Sequence, residues 1–424
     1  MLLILPTQLF DKKYIKDKNI ILYEHPQYFT KYKFNKKKIL LHRASMKYYY
    51  DYLKENNYNV KYINFYDELK IRDYIVFNPI DKIKLPGKYK IIDTPNLLLT
   101  ENMIKEYRKK TDKFVFNNFY MWSKKKLNII PNIKSQDKYN RKKLPKNINV
   151  PKLLNLKLNN HIENAKSYVK KHFNNNYGNL DNFIYPITHK DVKKWLKDFI
   201  KNKLNNFGTY QDYIDKNNNY LFHSILSSSI NIGLINPIEI IKEILKTKVK
   251  KNNLEGFIRQ LFWREYQRYC YKFYNFNDDY FNNKNKITKK WYNGTTEIPI
   301  INDCIIKGFN SGYLHHIERL MVIGNYMNLC QIKPKDGFKW FMEFSCDSYE
   351  WVMKQNVLDM VFFISGGKTM RRPYISSSNY LLNMSNYKKG EWVEIWNNKY
   401  EKFIIKNNKK LYKFRYFFPS KYFK

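Results

Sequence analysis

"NIILYE" (19–24), "KKILLHRASMKYYYDYLKEN" (37–56) and "VKYINF" (60–65) decide the fold of the first third of the chain. The outer two are short apolar runs of strand length. The middle one has helical periodicity and is too long for a strand. A strand, a helix and a second strand in that order form a crossover, which joins parallel neighbours in a sheet. Working outward, "LLILPT" (2–7) is a buried-strand run ended by Pro6, and "DYIVFNP" (73–79) and "YKIIDTP" (89–95) are further strands, each closed by a proline. The expected fold is an α/β domain over 1–123, built on a parallel sheet with flanking helices. Ligands in such sheets sit at the carboxyl ends of strands. Here those ends carry Pro6–Gln8, Glu24–His25 and Asp93–Pro95.

Residues 124–165 break the pattern. "KKKLNIIPNIKSQDKYNRKKLPKNINVPK" (124–152) is basic, rich in Pro and Asn, and aperiodic, so it reads as a linker. From 166 to 424 the periodicity is helical. "HKDVKKWLKDFIKNKLNNF" (189–207) is amphipathic and stops at Gly208. "NPIEIIKEILKTK" (236–248) has an Asn cap and Pro at the first helical position. "NNLEGFIRQLFWREYQRYCYKFY" (252–274), "GYLHHIERLMVIGNYMNLC" (312–330) and "PKDGFKWFMEFS" (334–345) read as further helices. A larger all-helical domain is therefore expected after the α/β domain.

Lys and Arg number 78 against 37 Asp and Glu, a formal charge of +41, which favours a polyanionic partner such as nucleic acid. The flood of Lys, Asn, Ile and Tyr also fits an AT-rich genome, that of a microbe or a large DNA virus. No run approaches the roughly 18 apolar residues of a membrane span. The opening "MLLILPTQLF" is too short for a secretory leader. Cys270, Cys304, Cys330 and Cys346 lack CxxC spacing and read as reduced thiols of an intracellular protein, with no metal site expected.

Four constellations could carry chemistry. On helix 252–274, Glu255, Arg259, Trp263 and Tyr266 share a face with Gln260 and Arg264 alongside. Guanidinium forks suit phosphate and an indole offers a stacking plate. An inter-helix salt bridge under an aromatic lid reads equally well from the same residues. Ser224, Ser227, Ser228 and Ser229 cluster before a helix, where hydroxyls and amides suit a diphosphate. His315 and His316, among only eight histidines, lie four and three residues before Arg319, so all three can face one pocket. Such a pocket suits proton donation to a phosphate-bearing substrate. Gly366 and Gly367 permit close backbone approach, and Arg371 and Arg372 precede a loop that holds Tyr374 and Tyr380.

"LEGFIRQLFWREYQR", "GYLHHIERLMVIGNY" and "RPYISSSNYLLNMS" together resemble the photolyase/cryptochrome superfamily, and within it the prokaryotic (6-4) photolyases, the iron–sulfur bacterial cryptochrome/photolyase group. "LPTQLF", "DTPNLLLT", "QDKYNRKKLP", "FGTYQDY" and "LFHSILSSSIN" are similarly worded and similarly ordered. The resemblance implies an N-terminal antenna domain and a helical FAD-binding domain acting on UV-damaged DNA. It implies light-driven electron transfer from reduced FAD to a (6-4) lesion, with a histidine as proton donor. It makes His316 that donor with His315 beside it, and Tyr374 and Tyr380 the lesion-side tyrosines. It assigns Phe207, Gly208, Tyr210, Ser224, Ser227, Ser228, Ser229, Asn231, Arg259, Trp263, Arg264, Arg319 and Asn356 to the cofactor. Trp340 and Trp291 become electron-relay residues. Gln8, Leu9 and Glu24 become candidates to hold a lumazine-type antenna chromophore. Arg141, Lys142, Lys143, Arg371 and Arg372 become the DNA contacts of a monomer. A cryptochrome-like sensor and a cyclobutane-dimer photolyase are the alternatives.

The chain departs from the group at two places. Cys304 stands where the first of four cluster cysteines belongs, but "SNYKKGEW" (385–392) and all that follows lack cysteine. Thiolates hold such clusters, so none is expected. The group's "EWVELPNVLGMSQFADGG" is here "EWVMKQNVLDMVFFISGG" (350–367): an acid becomes Met353, a Gly becomes Asp359 and an Asp becomes Ser365.

Overall fold

Five strands form where the sequence places them: β1 Leu2–Ile4, β2 Asn19–Tyr23, β3 Asn59–Ile63, β4 Asp73–Phe77 and β5 Lys88–Ile92. They come from a computed structural model that describes residues 1–157 and 159–423. All pairs are parallel, in the order β3-β2-β1-β4-β5. Leu2 stands beside Ile20 on one side and Ile75 on the other. Every residue of β1 is buried, as a central strand covered on both faces requires. β5, at the edge, is mostly exposed and carries Lys88 and Lys90.

The carboxyl edge of this sheet does not hold an open crevice. Gln8 folds back, accepting from Leu5 N (3.1 Å) and donating to Phe77 O (2.7 Å). Leu9 N donates to Ile232 O (2.9 Å) in the helical domain, and His189 Nε2 donates to Leu9 O (2.9 Å). Gly233 fits beneath Phe10 so closely that a Cβ there would lie 2.7 Å from the ring. The expected ligand position after β1 is thus filled by the second domain.

The helix Lys36–Glu55 joins the two domains at its start. Asn35 caps it, its Oδ1 accepting from Lys37 N (2.9 Å), while its Nδ2 donates to Phe309 O (2.7 Å) and Phe344 O (3.0 Å). The Lys37 amine donates to Asn179 O (3.0 Å), and the buried Lys38 amine donates to Ser348 O. Burial pushes both amines down to about 8.

The linker is narrower than 124–165. The helix Phe116–Leu127 runs into its start, and the helix Asn160–His172 takes its end. That second helix packs along Lys36–Glu55, with His161 Nε2 2.7 Å from Asp51 and Tyr168 OH donating to Glu24 (2.7 Å). It therefore belongs physically with the α/β domain, because its apolar stripe of Ile162, Ala165 and Val169 is buried there.

The helical domain is built on Pro237–Leu245, Lys251–Phe273, Pro299–Ser311, Pro334–Phe344 and Trp392–Lys406. The helix read at 312–330 is different. Gly312, at φ +70°, ends the preceding helix, and a Cβ there would meet Cys346 Sγ at 2.5 Å. His315 lies in the turn that follows. Residues Glu318–Gly324 then wind as a π-helix before α-helix resumes at Asn325–Leu329. Lys354–Val361 forms a second π-helix, and Gly324 abuts Val361. Helical turns of this kind mark sites where side chains are re-aimed.

Candidate functional site

The re-aimed turn separates the two histidines. His315 is buried while His316 is exposed, at 2% and 43% of the side chain's free area. The His315 ring stacks on His223 at 4.8 Å, and His316 stands edge-on to both, 5.8 Å from His223 and 6.0 Å from His315. Burial, reinforced by neighbouring imidazoles and Lys307, drives His223 and His315 well below the ordinary histidine range, so both are neutral. His316 instead meets a carboxylate: its Nε2 donates to Asp212 Oδ1 (3.1 Å). The other Asp212 oxygen lies 3.4 Å from Arg141 Nε.

Arg141 brings the linker into the site. Its neighbour Lys142 donates its backbone N–H to Thr209 O (2.9 Å), and Lys143 Nζ reaches Asn383 Oδ1 (3.4 Å). Tyr374 and Tyr380 stand close enough to Arg141 to act on its charge. Burial, then the Asp212 charge, raises the Tyr380 phenol above its ordinary range, opposed by Arg141 and Arg372. The guanidinium of Arg372 lies 5.4 Å over the Tyr374 ring. His316, Asp212, Arg141, Tyr374 and Tyr380 thus form one half-exposed, cationic and aromatic group. Arg319 does not join it. Its Nη1 donates to Asp347 (2.9 Å) and its Nε to Leu314 O (2.7 Å).

Asp347 gathers the cofactor candidates. It accepts from Ser227 Oγ (2.6 Å), Ser345 Oγ and Arg319, and its backbone O accepts from Asn231 Nδ2 (3.0 Å). Burial opposes its charge, but Arg319 and the two hydroxyls hold the carboxyl below its ordinary range. Ser224 precedes the helix, but Ser227, Ser228 and Ser229 are its first three residues, Ser227–Asn231. The hydroxyls of Ser228 and Ser229 are fully buried without a partner. A buried hydroxyl without a partner is costly. Two side by side are the donors a diphosphate group would satisfy, so these residues fit FAD. Trp263 Nε1 donates to Asn356 Oδ1 (3.3 Å), which also accepts from Gln267 (2.7 Å), so that predicted pair is brought together.

Other candidates are already occupied. Arg264 donates to Asn96 O (2.6 Å), Asn96 Oδ1 (3.2 Å) and Asn231 Oδ1 (3.2 Å), and lies 4.7 Å over Trp351. Burial pushes it down to about 10. Arg259 donates to Ser135 Oγ (3.0 Å) and packs over Phe116 and Tyr120. Both guanidinia tie the helical domain to the first 136 residues rather than standing free for phosphate. Gly208 is a packing glycine, because a Cβ would meet Asn252 O at 2.8 Å and Asn140 Oδ1 at 2.9 Å. Phe207 packs on Phe257 (5.1 Å) and Tyr210 on Phe222 (5.8 Å). Ser224 O accepts from Trp195 Nε1 (2.7 Å).

The antenna candidates are likewise internal. Glu24 is buried and accepts from Arg43 Nη1 (2.7 Å), Tyr62 OH (2.6 Å), Tyr168 OH (2.7 Å) and Phe65 N (3.2 Å). With Gln8 and Leu9 bonded as described above, none of the three offers a polar atom to a chromophore. The larger of two described cavities, about 680 Å³, is lined by Phe281, Lys284, Gln331 and Ile405–Lys410 and contains no candidate residue.

Trp340 Nε1 donates to Trp291 O (2.6 Å). Trp291 lies 5.7 Å from Tyr326, which stacks on Trp396 at 5.0 Å. Cys304 is buried near Lys307 and Glu318, and burial raises its thiol well above the ordinary range. Tyr387, from the segment that lacks the group's cysteines, donates to the adjacent Asp303 (2.8 Å). Among the described residues no three His, Cys, Asp or Glu side chains are grouped to hold a metal ion. No described helix is long and apolar enough to cross a membrane.

Comparison with known proteins follows this division. The family described as deoxyribodipyrimidine photo-lyase-related protein matches residues 2–83 and 69–185. The FAD binding domain of DNA photolyase matches 257–410. A (6-4) photolyase of Agrobacterium fabrum is 35% identical over 227 residues, 52% of this chain and 45% of that protein. The match thus spans less than half of that relative. Uncharacterized protein R855 of Acanthamoeba polyphaga mimivirus is 56% identical over 88 residues, 20% of this chain and 72% of that one. In fold, the chain is similar to a class III photolyase from Agrobacterium tumefaciens (TM-score 0.60, 14% identity, 95% of this chain and 86% of that one). It is also similar to the Synechocystis cryptochrome (TM-score 0.61, 11% identity, 97% and 87%).

Proposed function

Since the chain belongs to the photolyase/cryptochrome superfamily, we propose that it is a DNA photolyase whose substrate is a (6-4) pyrimidine lesion. The observation that carries the reading is the exposed His316 held by Asp212 beside Arg141, Tyr374 and Tyr380. FAD, when bound and reduced, would supply the light-driven electron. Ser227, Ser228, Ser229 and Asn231 would hold its diphosphate, with Trp263 and Asn356 as further contacts. Trp340 and Trp291 support a relay that restores its reduced state.

The chain's own residues then have separable tasks. With His316 Nε2–H engaged by Asp212, the imidazolium form carries its second proton on Nδ1, and that proton passes to a base turned out of the duplex, leaving the neutral imidazole. Neutral His223 and His315 back it without competing for that role. Tyr374 and Tyr380 offer faces and hydroxyls to the base, while Arg141, Lys142, Lys143, Arg371 and Arg372 meet phosphates. The Cys304 surroundings support folding without an iron–sulfur cluster. The protein would act as a monomer on intracellular DNA, and the mimivirus relatives support a viral source. A lumazine-type antenna finds no support at Gln8, Leu9 or Glu24.

The test is repair of an oligonucleotide carrying one (6-4) lesion by reduced protein, in blue light and in the dark. Restoration of the bases only in light is expected. His316→Ala should retain FAD and lose repair by about 10²- to 10⁴-fold; undiminished repair would remove His316 from the role. The second reading is a light sensor without repair, favoured by Met353 in place of an acid. Repair of a cyclobutane dimer instead would reassign the lesion.

A further inference from the structure

We propose that the C-terminal turn Tyr412–Phe417 is a second nucleic-acid contact, one that stacks on unpaired nucleotides next to the lesion. It rests on the DNA reading above and extends it to a surface that reading does not use. The sequence "YKFRYF" (412–417) alternates anchors and exposed rings. Phe414 is buried against Phe363 (5.1 Å), and Lys413 Nζ donates to Gly366 O (2.8 Å). On either side of these anchors Tyr416 is 81%, Tyr412 51% and Phe417 41% exposed, so three large rings face water on a short turn that is itself pinned to the core.

The rings are interleaved with guanidinia. Arg415 lies 4.5 Å over Tyr412 and 4.5 Å over Tyr416, and its Nη2 donates to the Tyr416 hydroxyl (2.9 Å). Arg372 lies 4.9 Å over Phe417 and 5.4 Å over Tyr374. One series of rings and cations runs from Tyr374, in the candidate site, through Arg372 to Phe417, and a second, Tyr412–Arg415–Tyr416, adjoins it where Phe417 follows Tyr416 in the chain. From Lys402 to Lys424 the chain has eight Lys and Arg and no Asp or Glu. That charge selects a polyanion, and exposed aromatic faces beside guanidinia select bases that are free to stack. Paired bases present no free face. A base turned out for repair leaves the base opposite it unpaired, and the ring series begins at Tyr374 of the candidate site.

The test is fluorescence anisotropy with a short labelled oligothymidine and with an undamaged duplex, at fixed salt and in the dark. Tyr416→Ala should weaken the single strand by about 5- to 150-fold, the range for loss of one stacked base, and leave the duplex unchanged. Tyr416→Phe keeps the ring and should keep the affinity. Arg415→Ala should weaken the single strand as well. Wild-type affinity in Tyr416→Ala overturns the proposal, and so does an equal loss on single strand and duplex, which would mark a patch that merely attracts phosphate. The readout needs neither light, cofactor nor lesion. Absence of photorepair would therefore sink the photolyase reading while leaving this expectation standing.

Discussion

At the scale of single residues, the site is governed by which side chains are wet. Two adjacent histidines differ because one is buried on His223 and the other faces solvent beside Asp212. The pair stands out in the sequence; its partners do not. Asp212 lies 104 residues away from His316, inside a quoted motif, "FGTYQDY", where nothing distinguishes it from other surface acids. His223 and Asp347 were equally silent, since a role set by contact over such separations leaves no local pattern. Asp212→Asn should lower repair by about 10²-fold, with FAD content unchanged, because the group that orients the proton donor is neutralised. The repair yield measured across pH is the check, and a profile identical to wild type would reduce Asp212 to packing.

At the scale of elements, strands and long helices were legible and their interruptions were not. The five strands stand where apolar runs end at prolines or turns, because period and punctuation are local properties. The helix read at 312–330 was a continuous apolar pattern. Its π-helical stretch at Glu318–Gly324 ends where Gly324 packs against Val361, a contact that no local pattern encodes. Arg259 and Arg264 bond to Ser135 and Asn96, contacts across domains that no local pattern shows, because a guanidinium that binds phosphate and one that clamps two domains look alike in sequence. Gly208 illustrates the packing alternative. Gly208→Ala should cost about 1–3 kcal/mol, because the added Cβ crowds Asn252 O on helix Lys251–Phe273 and the Asn140 side chain. Thermal unfolding would show it, and an unchanged midpoint would mean that Asn140 yields freely.

At the scale of the whole molecule, the two domains share polar groups buried in their joint. His42, on the helix Lys36–Glu55, is fully buried and shares a 3.3 Å contact with Tyr349 of the helical domain. Burial, then the Lys38 charge, pushes its imidazole down to about 3. The unfolded chain, with histidine near 6.5, binds the extra proton between those values. Stability is therefore fully present above about 6.5 and falls as pH drops. Between pH 7.5 and 5.5 the wild type should lose about 1.4 kcal/mol more than His42→Gln in denaturant titrations. Equal losses would place the imidazole in contact with water. Asp81, raised to about 7 by burial, works in the opposite direction and cancels in the comparison.

The amines of Lys37 and Lys38 and the amide of Asn35 set an order in time. Lys38 waits for Ser348, 310 residues further on, and Asn35 for Phe309 and Phe344. At roughly 5–20 residues per second of synthesis, Lys38 itself is made on the order of 15–60 s before Ser348 exists to accept from it. Until then the helix start stays hydrated and cationic, just as Leu9 N awaits Ile232 O. The final closure of the first domain is thus scheduled by the arrival of the second.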